Sequence, residues 1–343
     1  MPKRLLSRIL IGVAALLALA VLALGAVLVQ AHRAIDRERA PLPTADDLAR
    51  FRAEPASALP VRLWWVETAS QRMPRTAVLE PNEDPTPARP YVMSHPAFVL
   101  EWADGRVLLI DAGMRREPAL EFGRQIEWLG GARPLVARGA IGAVLGPSAA
   151  RVRGIVFTHL HTDHVDGVLS LCAAAPETRL TAFMTEAQSA RPNHTTRPGL
   201  ALLDEATCVE RATLSGERFL AVPGFPGVAV IDAGGHTPGS QIVLARVATE
   251  GGERLYAFAG DTVNHLDGIL HDVPKPWLYR KLLVPESDAR QKELRAFLAT
   301  LAREHGARLL VSHDQVNLRA ELGPATTRTP RSAPRSDATS STS

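Results

Sequence analysis

The chain has 343 residues, 46% hydrophobic and 22% charged, a balance that suits one large globular domain with appendages and excludes a disordered or fibrous protein. Thirty-nine basic against 36 acidic residues leave a formal net charge of only +3, so the basic footprint of a nucleic-acid binder is missing and no nucleic-acid partner is expected. Two cysteines, Cys172 and Cys208, exclude a disulfide framework and any cysteine-rich zinc module; they read either as one disulfide or as two buried thiols.

Ile9 to Val29 is almost purely Ala, Leu, Val, Ile and Gly, long enough at about 1.5 Å per residue to cross a hydrocarbon core of roughly 30 Å. Cleavable signal peptides have shorter apolar regions and a small-x-small site, which is missing here, so residues 1–32 are expected to form a basic leader and an uncleaved transmembrane anchor. Lys3, Arg4 and Arg8 precede the span, and Arg33, Arg37 and Arg39 follow it. A short basic leader ahead of a first span stays inside, which puts the globular part on the extracytoplasmic, periplasmic side. Residues 33–60, rich in Pro, Ala and charge, read as a linker, and the domain is expected over 61–323. Residues 324–343 are Thr, Ser, Pro and Arg with almost no large apolar side chain and read as a disordered tail.

Within the domain, short apolar runs alternate with turn signals and a few helical patterns, the profile of a mixed α and β (α+β) fold. Residues 97–102 and 107–110 flank Asp104-Gly105 and predict a hairpin. Further strands are predicted at 154–158, 180–183, 228–231, 241–246, 255–259 and 308–311. The clearest helix is 289–305, with Leu294, Phe297, Leu298 and Leu301 on one face, Asp288 as its start cap and Gly306 as its end.

Chemistry concentrates in Thr158-His159-Leu160-His161-Thr162-Asp163-His164, four candidate metal ligands within six residues. In an extended turn, side chains two apart point the same way. His159 and His161 can therefore grip one ion while Asp163 and His164, entering the next helix, face a second. Imidazole and carboxylate are ligands that zinc, iron and manganese accept. A capping or surface role explains a single residue of this kind; it does not explain three histidines and an aspartate at this density.

These residues resemble the metallo-β-lactamase superfamily, whose signature is His-x-His-x-Asp-His after a core strand. The resemblance extends from about Val61 to Gln315. Asp111, in Leu108-Leu109-Ile110-Asp111-Ala112-Gly113, matches an aspartate that is not a ligand but supports the metal-binding loop. His236 in Gly235-His236-Thr237-Pro238-Gly239 matches the third histidine of the first metal, Asp261 in Ala259-Gly260-Asp261-Thr262 the carboxylate bridging both, and His313 in Val311-Ser312-His313-Asp314 the last ligand of the second. The other histidines, His95 among them, are given ordinary structural or surface roles.

The resemblance implies a four-layer αββα sandwich of two mostly antiparallel sheets, with two divalent ions at one edge, zinc by default and iron or manganese as alternatives. It also implies a metal-bridged hydroxide attacking a carbonyl or phosphorus centre, with Asp163 or Asp261 managing the proton. No cysteine stands near Asp261, no carboxyl-terminal glutathione-binding region follows Gly323, and Thr162 replaces the acid of flavodiiron reductases. The nearest pattern is that of quorum-quenching lactonases, because about fifty residues separate Asp261 from His313, with an amphipathic helix between them and His-Asp at the end. Where those lactonases place a tyrosine three residues after the bridging aspartate, this chain has Asn264. Asn264, His265, Trp277 and Tyr279 are the candidate pocket residues, with Lys275, Arg280 and Lys281 of the same segment as a basic pocket wall or an ordinary surface loop, and the expected substrate is a small acyl or lactone molecule. A phosphodiester or phospholipid hydrolase, and a non-catalytic metal-binding module, are the alternatives.

Overall fold

The computed structural model describes residues 3–53 and 55–326. Twelve strands form two sheets. They are β1 Arg62–Met73, β2 Tyr91–Glu101, β3 Val107–Ile110, β4 Val136–Ala137, β5 Val152–Val156, β6 Leu180–Met184, β7 Val209–Thr213, β8 Leu220–Ala221, β9 Val228–Asp232, β10 Gln241–Thr249, β11 Gly252–Gly260 and β12 Arg308–Val311. The first sheet runs β4-β1-β2-β3-β5-β6-β7 and the second β12-β11-β10-β9-β8.

Alternation along the strands sets the layers, because neighbouring side chains leave opposite faces. Leu108, Ile110 and Val156 of the first sheet meet Val230, Val243, Phe258 and Leu310 of the second in one core between the sheets. Leu109 and Ile155 point the other way and pack under Val168, Leu171 and Leu203 from outer helices. On the far side, Ile231, Leu244 and Ala257 pack against Leu294, Leu298 and Leu301 of the helix Asp288–His305. Helix, sheet, sheet and helix are thus stacked in that order.

The pairing is more parallel than the expected mostly antiparallel sheets. In the first sheet three pairings are antiparallel and three, β3 with β5, β5 with β6 and β6 with β7, are parallel. Helical crossovers between these strands return the chain to the same end, which is what parallel pairing requires. The second sheet is antiparallel except for β11 with β12. The consequence is functional: β3, β5, β11 and β12 all deliver their carboxyl ends to one edge.

The predicted hairpin forms, with Glu101 opposite Val107. Strand β5 ends at Val156, two residues earlier than expected, because the Asp111 carboxylate takes the Thr158 N–H at 2.7 Å and its hydroxyl at 2.8 Å. The long strand β1 was not foreseen; its buried run Glu67-Thr68-Ala69-Ser70-Gln71 is too polar to show strand alternation. The helix predicted at 289–305 begins at Asp288, and Ser287 rather than Asp288 is its cap, while Gly306 closes it in the left-handed region at φ 65°. Within the stretch expected as a linker, 33–60, part of the described chain packs on the domain. Ile35 is fully buried, and a helix at Ala45–Arg52 lays Leu48 and Phe51 on the second sheet. Cys172 and Cys208 form a disulfide, which settles the two readings left open for them. Most of the expected tail, 327–343, lies outside the described residues.

One helix, Lys3–Asp36, contains a stretch long and apolar enough to cross a membrane by length and composition, with none of its most apolar window buried.

Candidate metal centre

Five chain segments leave the shared sheet edge carrying the residues singled out from the sequence. His159, His161, Asp163 and His164 follow β5, Asp111 directly follows β3, His236 follows β9, Asp261 directly follows β11 and His313 follows β12. Gly260 makes the last turn into Asp261 feasible. Its φ is 52°, and a Cβ there would stand 2.8 Å from the Thr158 Cβ, so a larger residue would push the strand end away from the site.

Two groups of potential ligand atoms result. His159, His161, His236 and Asp261 form one, and His164, Asp261 and His313 form another; in each, the ligand atoms lie within 4.8 Å of one another. Asp261 is common to both. Its Oδ2 is 3.9 Å from His159 Nε2 and 3.6 Å from His236 Nε2, its Oδ1 is 3.4 Å from His164 Nε2, and His313 Nε2 lies 3.2 Å from both oxygens. Asp163 Oδ2 stands 3.5 Å from His313 Nε2 and 3.7 Å from His164 Nε2, on the second side.

The far nitrogen of several rings is held, which fixes where the near one points. His164 Nδ1 lies 2.8 Å from Asp111 Oδ2, and Asp111 is itself at φ 57°, a left-handed conformation that turns its carboxylate towards the loop. His313 Nδ1 donates to the Ser94 carbonyl at 2.7 Å, and the Ser94 N–H donates back to the His313 carbonyl at 3.2 Å. His236 Nδ1 is 2.6 Å from Glu286 Oε1. With Nδ1 engaged outward, each Nε2 points inward, where its lone pair can meet a cation when the ring is neutral.

The donor set fits divalent cations. His159, His161 and His236 Nε2 and Asp261 Oδ1 are buried atoms with no hydrogen-bond partner, a costly arrangement for polar atoms unless something else binds them. Burial, together with the His164 and His161 rings, holds His159 well below the ordinary imidazole range. Burial and His236 push His161 down to about 3, and burial and the Lys275 ammonium lower His236. All three are neutral at pH 7, as ligands must be. Burial would raise Asp261, yet His313, His159 and His164 hold it well below the usual carboxylate range. On the second side burial would lower His164, but Asp111, Asp163 and Asp261 lift it well above the ordinary value. Carboxylates outnumber the positive charge there, which a bound cation would correct.

Three residues at the centre escaped the sequence reading. His95, given an ordinary role, is fully buried on β2 with Nδ1 3.2 Å from Asp163 Oδ2, and it forms a third group with Asp163 and His313. Glu286 and Lys275 form a buried ion pair at 2.6 Å beneath His236, and Lys275 also donates to the Asp261 carbonyl. Lysine 275 had been placed only in a segment of pocket-wall candidates. No local motif marks these three; each is found by what it touches.

The candidate pocket residues do not converge. Asn264 is buried beside the centre with its Oδ1 unpartnered. The Tyr91 hydroxyl approaches the same place from β2 but lies 2.9 Å from the Asn264 carbonyl and 2.8 Å from that of His313. Both ring nitrogens of His265 are engaged elsewhere, 2.7 Å from the Arg75 guanidinium and 3.0 Å from the Asp267 N–H. Trp277 is a surface residue, 53% exposed, and the Tyr279 ring lies 5.2 Å from Lys275 Nζ.

The profile of the Metallo-beta-lactamase superfamily matches residues 90–313. Solved structures of the same fold include an N-acyl homoserine lactone hydrolase with its product N-hexanoyl-L-homoserine bound at the catalytic metal centre, 16% identical with a TM-score of 0.56 over 76% of this chain and 96% of that one. A quorum-quenching N-acyl homoserine lactone lactonase is 16% identical with a TM-score of 0.55, covering 79% and 98%. A probable metal-dependent hydrolase from Staphylococcus aureus is 12% identical with a TM-score of 0.51, covering 75% and 91%. No curated protein matches the chain in sequence.

Proposed function

The chain belongs to the metallo-beta-lactamase superfamily of metal-dependent hydrolases, and from that premise we propose that it is a membrane-anchored, binuclear hydrolase cleaving an ester, lactone or related acyl bond. The observation that carries the binuclear reading is Asp261, which belongs to two groups of ligand atoms, with His159 and His236 beside Oδ2, His164 beside Oδ1 and His313 near both oxygens. His159, His161 and His236 would hold one ion and Asp163, His164 and His313 the other, with Asp261 between them; zinc is the default and iron or manganese are compatible with the donors. Two such ions, when bound, lower the pKa of coordinated water from about 15.7 towards 7 and polarise a carbonyl oxygen.

The chain's own residues do the rest. Asp111, Ser94 and Glu286 orient His164, His313 and His236, so the geometry is set before substrate arrives. Asp163, kept ionised against burial by His164 and by the His95 bond, offers Oδ2 as a proton acceptor at the second side. Asn264 stands three residues after Asp261, and its buried, unpartnered Oδ1 supports a role in accepting a hydrogen bond from substrate. The similar structures that carry N-acyl homoserine lactone or its product support an acyl substrate. The apolar helix supports the anchor, and the Cys172–Cys208 disulfide supports an oxidising, extracytoplasmic compartment for the domain.

The test is elemental analysis of purified protein followed by turnover of an ester, lactone and phosphodiester panel. Two equivalents of metal with ester or lactone turnover are expected. Metal without turnover of any panel member would favour a binding module, and turnover of phosphodiesters alone would move the reaction to phosphorus.

A further inference from the structure

Segment 276–284 lies between Lys275, which donates to Asp261, and Glu286, which holds His236. Its middle, Tyr279–Leu283, is a wide helical turn. Among the described side chains outside the amino-terminal helix, nine large apolar ones are exposed, and four of them fall in this one segment: Trp277, Leu278, Leu282 and Leu283. Single exposed apolar residues are ordinary on a soluble surface, whereas a contiguous group marks a contact face.

The same segment meets the amino-terminal helix where that helix reaches the domain. His32 Nε2 is 3.1 Å from the Lys281 carbonyl, and Ala31 and Ile35 are buried, whereas Ile9 through Val27 show exposed apolar side chains. Val29 ends the apolar run, and His32 is three residues later, about 5 Å along the axis at 1.5 Å per residue. A segment tied at His32 therefore sits within one side-chain length of the hydrocarbon boundary, in the zone where tryptophan is most favourably placed. Arg280 and Lys281 lie 2.6 and 2.9 Å from Asp288. The two cations share that one carboxylate, so the face combines its apolar area with a small net positive charge.

We infer that segment 276–284 is a second membrane contact, its Trp277, Leu278, Leu282 and Leu283 side chains seated in the interfacial layer of the bilayer that the amino-terminal helix crosses. The inference rests on the anchored reading of that helix. It deepens the functional reading as well, because a segment flanked by Lys275 and Glu286 fastens one side of the metal centre to the lipid surface. The substrate class this favours is an acyl-chain amphiphile that partitions into the bilayer.

The experiment uses the full-length, metal-loaded protein in phosphatidylcholine vesicles carrying lipid brominated near the headgroup. Flotation with the vesicles after alkaline washing tests the anchor. Tryptophan quenching tests the segment, since Trp277 is one of five tryptophans, the amino-terminal helix has none, and Trp64, Trp65 and Trp102 are buried. Brominated lipid should remove about a fifth of the emission from the wild type and almost none from Trp277→Phe, which retains the exposed Trp128 as an internal control. The effect should persist on neutral lipid at high salt, because the apolar side chains carry it. Leu282→Ser/Leu283→Ser should float and keep its metal yet lose most of the quenching. Floating protein with equal quenching in wild type and Trp277→Phe would overturn the second contact and leave the anchor standing; protein that fails to float would overturn both. Protection of Trp277 that grows with the protein-to-lipid ratio would assign the face to a second copy of the chain and overturn the lipid contact.

Discussion

Glu286 is the residue whose replacement separates support of the metal centre from support of the fold. Its Oε1 is 2.6 Å from His236 Nδ1 and 2.6 Å from Lys275 Nζ, and both partners are buried. Burial would raise its pKa, but Lys275 and the His236 bond lower it, so the carboxylate is charged. Two losses are expected from Glu286→Gln. Removing the outer partner of a ligating histidine weakens metal binding about 10- to 100-fold, or about 1.4–2.7 kcal/mol, with the amide at the lower end because it still offers an oxygen. Breaking a buried ion pair costs about 3–5 kcal/mol, because the Lys275 ammonium is left without its counterion. The fold term is therefore the larger. Adding Lys275→Met removes the stranded charge, so the double variant should regain most of the stability and keep the weakened metal binding. Chelator competition reads the affinity, and denaturant unfolding of the metal-free protein reads the stability. Unchanged metal affinity in both variants would refute the positioning argument and reduce Glu286 to the counterion of Lys275.

His161→Ala removes a partly buried ligand candidate at the mouth of the centre, so the domain should stay folded while metal content falls from two towards one and turnover drops by about three orders of magnitude or more; near-normal turnover with two bound metals would count against the assignment. Glu38 gives a pH-dependent signal. Burial raises it from 4.5 to about 6 despite its bond from the Gly239 N–H, so the folded state holds the proton more tightly than the unfolded chain. The stability it adds is complete below about pH 4.5 and lost as pH rises through about 6, a change of about 2 kcal/mol relative to Glu38→Gln. Unfolding curves of the two proteins from pH 4 to 8 check this, and parallel profiles would contradict it. The Cys172–Cys208 bridge spans 36 residues, and Cys172→Ser/Cys208→Ser should lower stability by about 4 kcal/mol if loop entropy dominates. A loss below about 1 kcal/mol, measured by chemical unfolding under oxidising conditions, would show that it does not.

The placement of the centre explains why the site is assembled from so many segments. Parallel pairing brings β3 beside β5 and β11 beside β12, so Asp111, the His159–His164 loop, Asp261 and His313 emerge at one edge without a long connecting loop. The sheets are stitched together just there, by the Gln241 N–H donating to the Thr158 carbonyl and by bonds between Ser94 and His313. Rigid strand ends carry the ligand candidates, and the surrounding loops are free to differ.

The sequence by itself determined the chemistry of the centre and much of its cast. His159, His161, Asp163 and His164 are adjacent, so their joint meaning is local, and Asp111, His236, Asp261 and His313 each stand at the end of an apolar run that reads as a strand. The hairpin at Asp104-Gly105 and the helix ending at Gly306 were legible for the same reason, since turn chemistry and apolar periodicity act over a few residues. Tertiary structure alone decided that His95 stands beside Asp163, that Glu286 and Lys275 sit beneath His236, and that His265 faces Arg75 instead of the cluster of candidate ligands. It also chose the disulfide over two free thiols and set β1, with its buried Glu67 and Gln71, inside a sheet. These depend on which strand lies beside which and in what register, over separations of tens to hundreds of residues. A polar side chain carries no sign of a partner that far along the chain, and only packing brings the two within hydrogen-bond distance.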